Sequence, residues 1–237
     1  MSKKNILKKF EAIILSGGKG TRIKKITKNI PKCLVDIYGK PFLYYQLKYL
    51  QKHKVKNVLL SIKYKSNLID EYVKKNINFI NVKLISDGKK PLGTGGAVIN
   101  ATNYLKKNFY IIYGDSYLNF DLNKLCLNKD ISTMGILKNK NKYDKSNVIL
   151  KDKNFIHYNK FKNNDNKYSF IDYGVSYVNK SFFSKYKKKV KIDLSSIFLE
   201  MSKKNLLKGY EIKKRFYEIG SYNGIREFKK FIKNEIY

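Results

Sequence analysis

Gly17-Gly18-Lys19-Gly20-Thr21-Arg22 places three glycines and two cations in one short stretch, and Pro31-Lys32 follows. Glycines carry no Cβ, so the backbone can turn sharply and a ligand can approach it closely. Successive N–H groups in such a turn form a concavity that suits anions. Arg22 adds a rigid fork of donors that fits phosphate oxygens in pairs, and Lys32 adds a compact second charge. The chemistry on offer is therefore phosphate binding. Two familiar phosphate loops do not fit. A P-loop needs Gly-Lys followed by Ser or Thr, whereas Gly20 follows Lys19. The dinucleotide fingerprint needs a small residue three places after Gly20, where Ile23 stands. His53 and His157 lie far apart, each away from Cys33 and Cys126, so neither zinc nor histidine catalysis is expected.

The elements that must hold this loop follow from apolar patterning. Ala12-Ile13-Ile14-Leu15 runs straight into the glycines and reads as a buried strand. Further strands are expected over 55–62, 79–85 and 109–113, with helices over 41–53, from Ser66 as cap, and from Thr94 to near Lys106. Leu68, Ile69, Tyr72 and Val73 form the inner face of the middle helix. Alternating strands and helices predict a parallel sheet covered on both faces, with ligands beyond the strands' C-terminal ends. The second half reads differently. Strands over 131–137, 147–150, 155–161 and 170–178 follow one another through short polar turns. Helices are expected over 181–186 and 194–203, strands over 206–212 and 216–219, and a closing helix over 222–233 with Ile225, Phe228 and Ile232 inward. The expectation is one α/β domain over residues 1–237. The first half covers about 11–130, and an antiparallel second half, expected to receive a second substrate, covers about 131–237.

The first loop, with Arg22 and Pro31-Lys32 at matching spacing, resembles the signature of the sugar-1-phosphate nucleotidyltransferases, the nucleoside-diphosphate-sugar pyrophosphorylases, with Ile23 where that family usually has Leu. Pro91-Leu92-Gly93-Thr94-Gly95-Gly96-Ala97 is similar to a segment of the mannose and heptose 1-phosphate guanylyltransferases. The resemblance implies the nucleotide-diphospho-sugar transferase fold, a Rossmann-like mixed sheet flanked by helices with an antiparallel sugar-binding extension, so that the half over about 11–130 would bind the nucleotide and the half over about 131–237 the sugar phosphate. It implies nucleotide contacts from Leu15, Gly17, Gly18, Gly20, Thr21, Gly93, Thr94 and Gly96. Thr94 would serve equally as a helix cap. Arg22, Lys32 and Asp115 become the catalytic set, with Mg²⁺ held by Asp115 and by Glu218, which replaces the usual aspartate in Tyr217-Glu218-Ile219-Gly220. Lys160 would grip the sugar phosphate, with Asn159 where Glu is common. Asp172 and Gly174 would face the sugar, as would Asp144-Lys145-Ser146-Asn147.

Base choice leans on Asp87 in Ser86-Asp87-Gly88, because a carboxylate can accept from the adjacent N1 and N2 donors of guanine; cytosine stays open, and so does a plain turn at Asp87-Gly88. The expected reaction joins a nucleoside triphosphate, GTP favoured, to a sugar 1-phosphate. Rival readings are a cytidylyltransferase for a non-sugar phosphate and a basic nucleic-acid-binding or regulatory protein without catalysis. The net charge of +33 invites the latter, yet only Arg22, Arg215 and Arg226 supply arginine. Lysines scattered over every element, with abundant Asn and Ile, fit A/T-rich coding better than a selected nucleic-acid face. The field would still draw in polyanions such as a nucleoside triphosphate. No apolar run approaches the roughly 20 residues of a membrane span. The lysine-rich start is not a signal peptide, and two cysteines suggest no disulfide framework. A cytoplasmic enzyme with no specific nucleic-acid or membrane partner is expected, and a homo-oligomer is compatible with the sequence.

Overall fold

The computed structural model describes residues 9–18, 21–27, 30–86, 88, 92–126, 130–161, 167–188 and 190–236. The strands β1 (Phe10–Leu15), β2 (Asn57–Ile62), β3 (Asn81–Ser86) and β4 (Leu105–Tyr113) pair in parallel in the order β4-β1-β2-β3. The sheet then runs without a break into the second half through β5 (Ser132–Lys138), β6 (Val148–Leu150), β7 (Ile156–Tyr158), β8 (Phe170–Asn179) and β9 (Leu207–Glu211). Strand β8 joins the halves by pairing antiparallel to both β4 and β5. The second half is not wholly antiparallel, since β9 runs parallel to β5.

Alternate residues of β1 explain the layering. Ala12 and Ile14 face one way, onto Leu43, Leu47 and Leu50 of α1 (Phe42–Lys52) and Ile69 and Val73 of α2 (Ser66–Asn76). Ile13 faces the other way, with Val98 and Ile99 of α3 (Gly93–Ala101) and Ile197 and Phe198 of α4 (Leu194–Lys203). The period-2 pattern of a strand thus feeds two cores. A third cluster seats α5 (Tyr222–Ile236), whose Ile225, Phe228 and Ile232 cover Ile23, Val35, Ile37 and Phe42. Phe228 is fully buried. Burying such a side chain contributes about 1.5–3 kcal/mol, and here it ties down the segments that carry Arg22 and Lys32.

Several expectations are corrected. The helix expected to reach Lys106 stops at Ala101, because a 3-10 turn over Thr102–Tyr104 follows and β4 already begins at Leu105, paired with Phe10. Ser66 is the first helical residue of α2 and Lys65 precedes it as the cap position. The strand expected over 155–161 is only Ile156–Tyr158. The helix expected over 181–186 is a 3-10 segment, Lys180–Lys185, whose first turn donates Ser181 N–H to Asn179 Oδ1 at 2.9 Å. Among the described residues no helix is long and apolar enough to cross a membrane.

Candidate active site

Parallel strands β1, β2 and β4 end on the same side of the sheet, and a cavity of about 750 Å³ opens there. Leu15, Ser16, Gly17 and Gly18 line it from the end of β1, Ser61 and Lys63 from β2, and Tyr113, Gly114 and Asp115 from β4. The start of α3 adds Gly93, Thr94 and Ala97. The second half contributes Lys160 and Phe161 after β7, Asp193 and Ser195 at the start of α4, and Gly220 before α5.

Close backbone approach sets this geometry. Gly114 N–H donates to Leu15 C=O at 3.1 Å. A Cβ on Gly114 would lie 2.4 Å from Ser16 Oγ and 2.6 Å from Leu15 O, so only glycine lets the two strand ends meet. Asp115, the next residue, is thereby placed beside the glycine loop. Its carboxylate Oδ2 accepts from Lys32 Nζ at 2.7 Å. Its carbonyl accepts from Ile219 N–H at 3.0 Å, which draws the Gly220 segment inward. A side chain on Gly220 would come within 3.0 Å of Lys32 Nζ and 3.5 Å of Arg22 Nη2. Arg22, Lys32 and Asp115 therefore open onto one cavity.

The other sequence-predicted residues divide. Gly17, Gly18, Leu15, Gly93, Thr94 and Lys160 line the cavity. Thr94 does not cap its own helix; its Oγ1 accepts from Leu194 N–H at 2.9 Å and so joins α3 to the start of α4. Gly96 is turned from the cavity, because its N–H donates to Ile192 C=O at 3.0 Å and a Cβ there would strike Val190 O at 2.4 Å. Gly20, Asp87 and the side chain of Thr21 lie outside the described residues. Asp172 is buried, and each of its carboxylate oxygens has a partner: Oδ2 accepts from Tyr113 OH at 2.8 Å and Oδ1 from Gly174 N–H at 2.8 Å. Gly174 is left-handed (φ 89°) in a bulge of β8 and packs on Ser116. These two residues connect β8 to the end of β4, and neither is among the residues that line the cavity. Asn147 belongs to the same brace, since its Oδ1 accepts from Asp172 N–H at 2.9 Å and its carbonyl accepts from Asn159 N–H at 2.9 Å. Glu218 is likewise occupied. Its two oxygens accept from Gly220 N–H and Ser221 Oγ at the start of α5.

Sequence reasoning missed Lys63, Cys33, Asp193 and Ser195. Lys63 and Cys33 were legible only as neighbours of other motifs, and Asp193 reaches the cavity through a contact between helices far apart in sequence. Burial pushes the Cys33 thiol up to about 12, so it stays protonated and offers no nucleophile. Among the described residues no three His, Cys, Asp or Glu side chains cluster.

A glycine loop, an arginine and a lysine-held aspartate at the ends of parallel strands define a nucleotide-handling α/β protein. The model of the nucleotidyl transferase family matches residues 11–147, and the chain belongs to that family. It is 41% identical over 140 residues to the D-glycero-alpha-D-manno-heptose 1-phosphate guanylyltransferase of Campylobacter jejuni, covering 59% of this chain and 62% of that one. The enzyme of the same name from Aneurinibacillus thermoaerophilus is 38% identical over 117 residues, 49% of this chain and 50% of that one. The chain thus spans less than two thirds of these curated relatives. Crystal structures of HddC from Yersinia pseudotuberculosis, one complexed with GMP-PN, superpose with a TM-score of 0.76 at 29% identity, covering 94% of this chain and 99% of that one. The fold is that of the nucleotide-diphospho-sugar transferases.

Proposed function

We propose that the protein transfers a nucleoside monophosphate from a nucleoside triphosphate, with GTP favoured, to a sugar 1-phosphate, releasing pyrophosphate. The observation that carries this reading is the convergence of Arg22, the Lys32–Asp115 pair and the glycine loop on one cavity. A phosphate oxygen of the acceptor attacks the α-phosphorus as the bond to the β-phosphate oxygen breaks. No protein nucleophile is required, because a sugar phosphate is already a competent one. Positioning and charge neutralisation supply the catalysis. Arg22 meets the charge that develops on the departing pyrophosphate, and Lys32 holds Asp115 and borders the same space. Lys160 approaches from the second half and suits the acceptor phosphate.

Magnesium fits Asp115. Only one of its oxygens is taken by Lys32, and the other accepts no hydrogen bond among the described residues. A single carboxylate supplemented by phosphate oxygens and water is an ordinary Mg²⁺ environment. Glu218 stands at the same corner, where a Cβ on Gly220 would meet its Oε2 at 2.7 Å and Lys32 Nζ at 3.0 Å, but its two oxygens also accept from Gly220 N–H and Ser221 Oγ. When bound, the ion would neutralise triphosphate charge as the bond to pyrophosphate breaks. The names of the curated relatives make a heptose 1-phosphate the first acceptor to try, and the cytoplasm is the compartment we propose. Pyrophosphate release should be measured for the four ribonucleoside triphosphates against heptose, mannose and glucose 1-phosphates with Mg²⁺. GTP with one of these acceptors should give turnover. No pyrophosphate from any pair sinks the reading, and a preference for CTP overturns its guanylyl part.

A further inference from the structure

We propose that Lys63 reads the nucleobase, donating to the 6-oxo group of guanine and rejecting adenine; the inference rests on the nucleotidyl-transfer reading and sharpens it. Asp115 follows β4, which lies on one side of β1, whereas Lys63 follows β2 on the other. The phosphate-gripping groups gather on the β4 side, where Lys32 holds Asp115 and Arg22 reaches the same corner. A nucleotide whose phosphates sit there and whose ribose crosses Gly17 and Gly18 must lay its base over the end of β2. Lys63 stands at that place. It lines the cavity, and a Cβ on Gly17 would lie 3.8 Å from its Cβ.

Two features set Lys63 apart from the many solvated lysines of this chain. It is half-buried, and no hydrogen bond or ion pair engages its side chain among the described residues. Its ammonium therefore has no partner among them and is free to donate to a ligand acceptor in the cavity. Guanine presents O6 and N7 as acceptors along one edge, whereas adenine presents an amino donor at position 6. A lysine facing that edge therefore favours the oxo base. The inference is independent of Asp87, which would address the N1 and N2 donors instead.

The test uses inosine and adenosine triphosphates, which both lack the 2-amino group and differ only along the N1–C6 edge. Wild-type protein should prefer ITP. In Lys63→Met the ITP:ATP ratio of kcat/KM should fall about ten- to hundredfold, the size of one hydrogen bond to a charged donor. Lys63→Arg should keep part of the preference. Equilibrium binding of GTP and ATP to each variant gives the same comparison without turnover. It therefore tests Lys63 even if no acceptor is used, while absent pyrophosphate release from wild type would fail the functional reading alone. An unchanged ratio overturns the inference. So does an equal loss for every nucleotide, which would make Lys63 a phosphate ligand. Melting temperatures within a few degrees of wild type exclude misfolding as the cause.

Discussion

Asp115 and Asp172 stand near each other on adjoining strands, yet the two halves of the molecule treat them in opposite ways. Asp115 leaves the end of β4 with its side chain 39% exposed and answered by one lysine. Asp172 belongs to β8, is buried, and spends both oxygens inside the protein on Tyr113 and Gly174. The first half delivers charged groups to the cavity from the loops that follow parallel strands. The second half adds Lys160 and Asp193 to the cavity, but its buried polar groups brace those loops. A carboxylate in a cleft is thus not by itself a ligand group; what its oxygens already touch decides its role.

The largest test of this contrast concerns the exposed set. Arg22→Ala and Asp115→Asn should each lower kcat by about 10²–10³, the usual loss for one preorganised electrostatic contact. Both side chains face the cavity, so melting temperatures should change little. Near-wild-type turnover in either variant would erase the distinction between the halves.

Gly174 of the bracing set should behave in reverse, losing stability first. Gly174 has φ 89°, and a Cβ there would lie 2.7 Å from Ser116 Oγ. Gly174→Ala should cost about 2–4 kcal/mol by combining left-handed backbone strain with overpacking, read by denaturant unfolding. A neutral result would mean that the bulge is not a fixed brace.

Asp172 gives the brace a pH signature. Burial is the main cause that raises its carboxyl to about 6, against the lowering influence of Gly174, Tyr113 and Lys160. A carboxyl raised on folding favours the protonated native state. Its contribution is complete below the unfolded value near 4 and is lost as pH rises to about 6, worth of order 2–3 kcal/mol. Asp172→Asn keeps an acceptor for Gly174 N–H, and the Tyr113 hydroxyl can rotate to suit an amide. Unfolding across pH 4 to 7 should therefore show a smaller decline in Asp172→Asn than in wild type, and greater stability at pH 7. A steeper decline in the variant would show that the charged form is the favoured one.

The same contrast explains what the sequence revealed. Gly17, Gly18, Arg22, Lys32 and Asp115 were legible because parallel strands send successive loops to one end, and each motif carries its own turn chemistry. The helix Leu194–Lys203 and the inward face of the closing helix followed directly from apolar spacing. The partners of Asp172 and Glu218 inside the protein were not legible, because sequence displays a carboxylate without the donors it accepts from. Asp193 was invisible because Thr94 brings it to the cavity across a long separation in sequence. The parallel pairing of β9 with β5 was equally hidden, since a strand's apolar pattern does not name its neighbour.

Glu218 offers the smallest effect and the finest discrimination. It stands at the sequence position where a metal ligand was expected, yet its oxygens face Gly220 N–H and Ser221 Oγ beside the first turn of α5. A carboxylate there holds Ser221, whose Oγ accepts from Gly224 N–H in the first turn, and complements the helix's positive end. Glu218→Gln retains the arm and one oxygen while removing the charge. It should lower stability by about 0.5–1 kcal/mol and change kcat by no more than about threefold, the reach of a helix-end interaction. A fall in kcat matching that of Asp115→Asn, with a weaker response to Mg²⁺, would mean that Glu218 leaves the helix during turnover. The second half would then supply a carboxylate beside Lys160 to the reacting phosphates, and the contrast between a delivered Asp115 and a bracing Glu218 would not hold at that corner of the cavity.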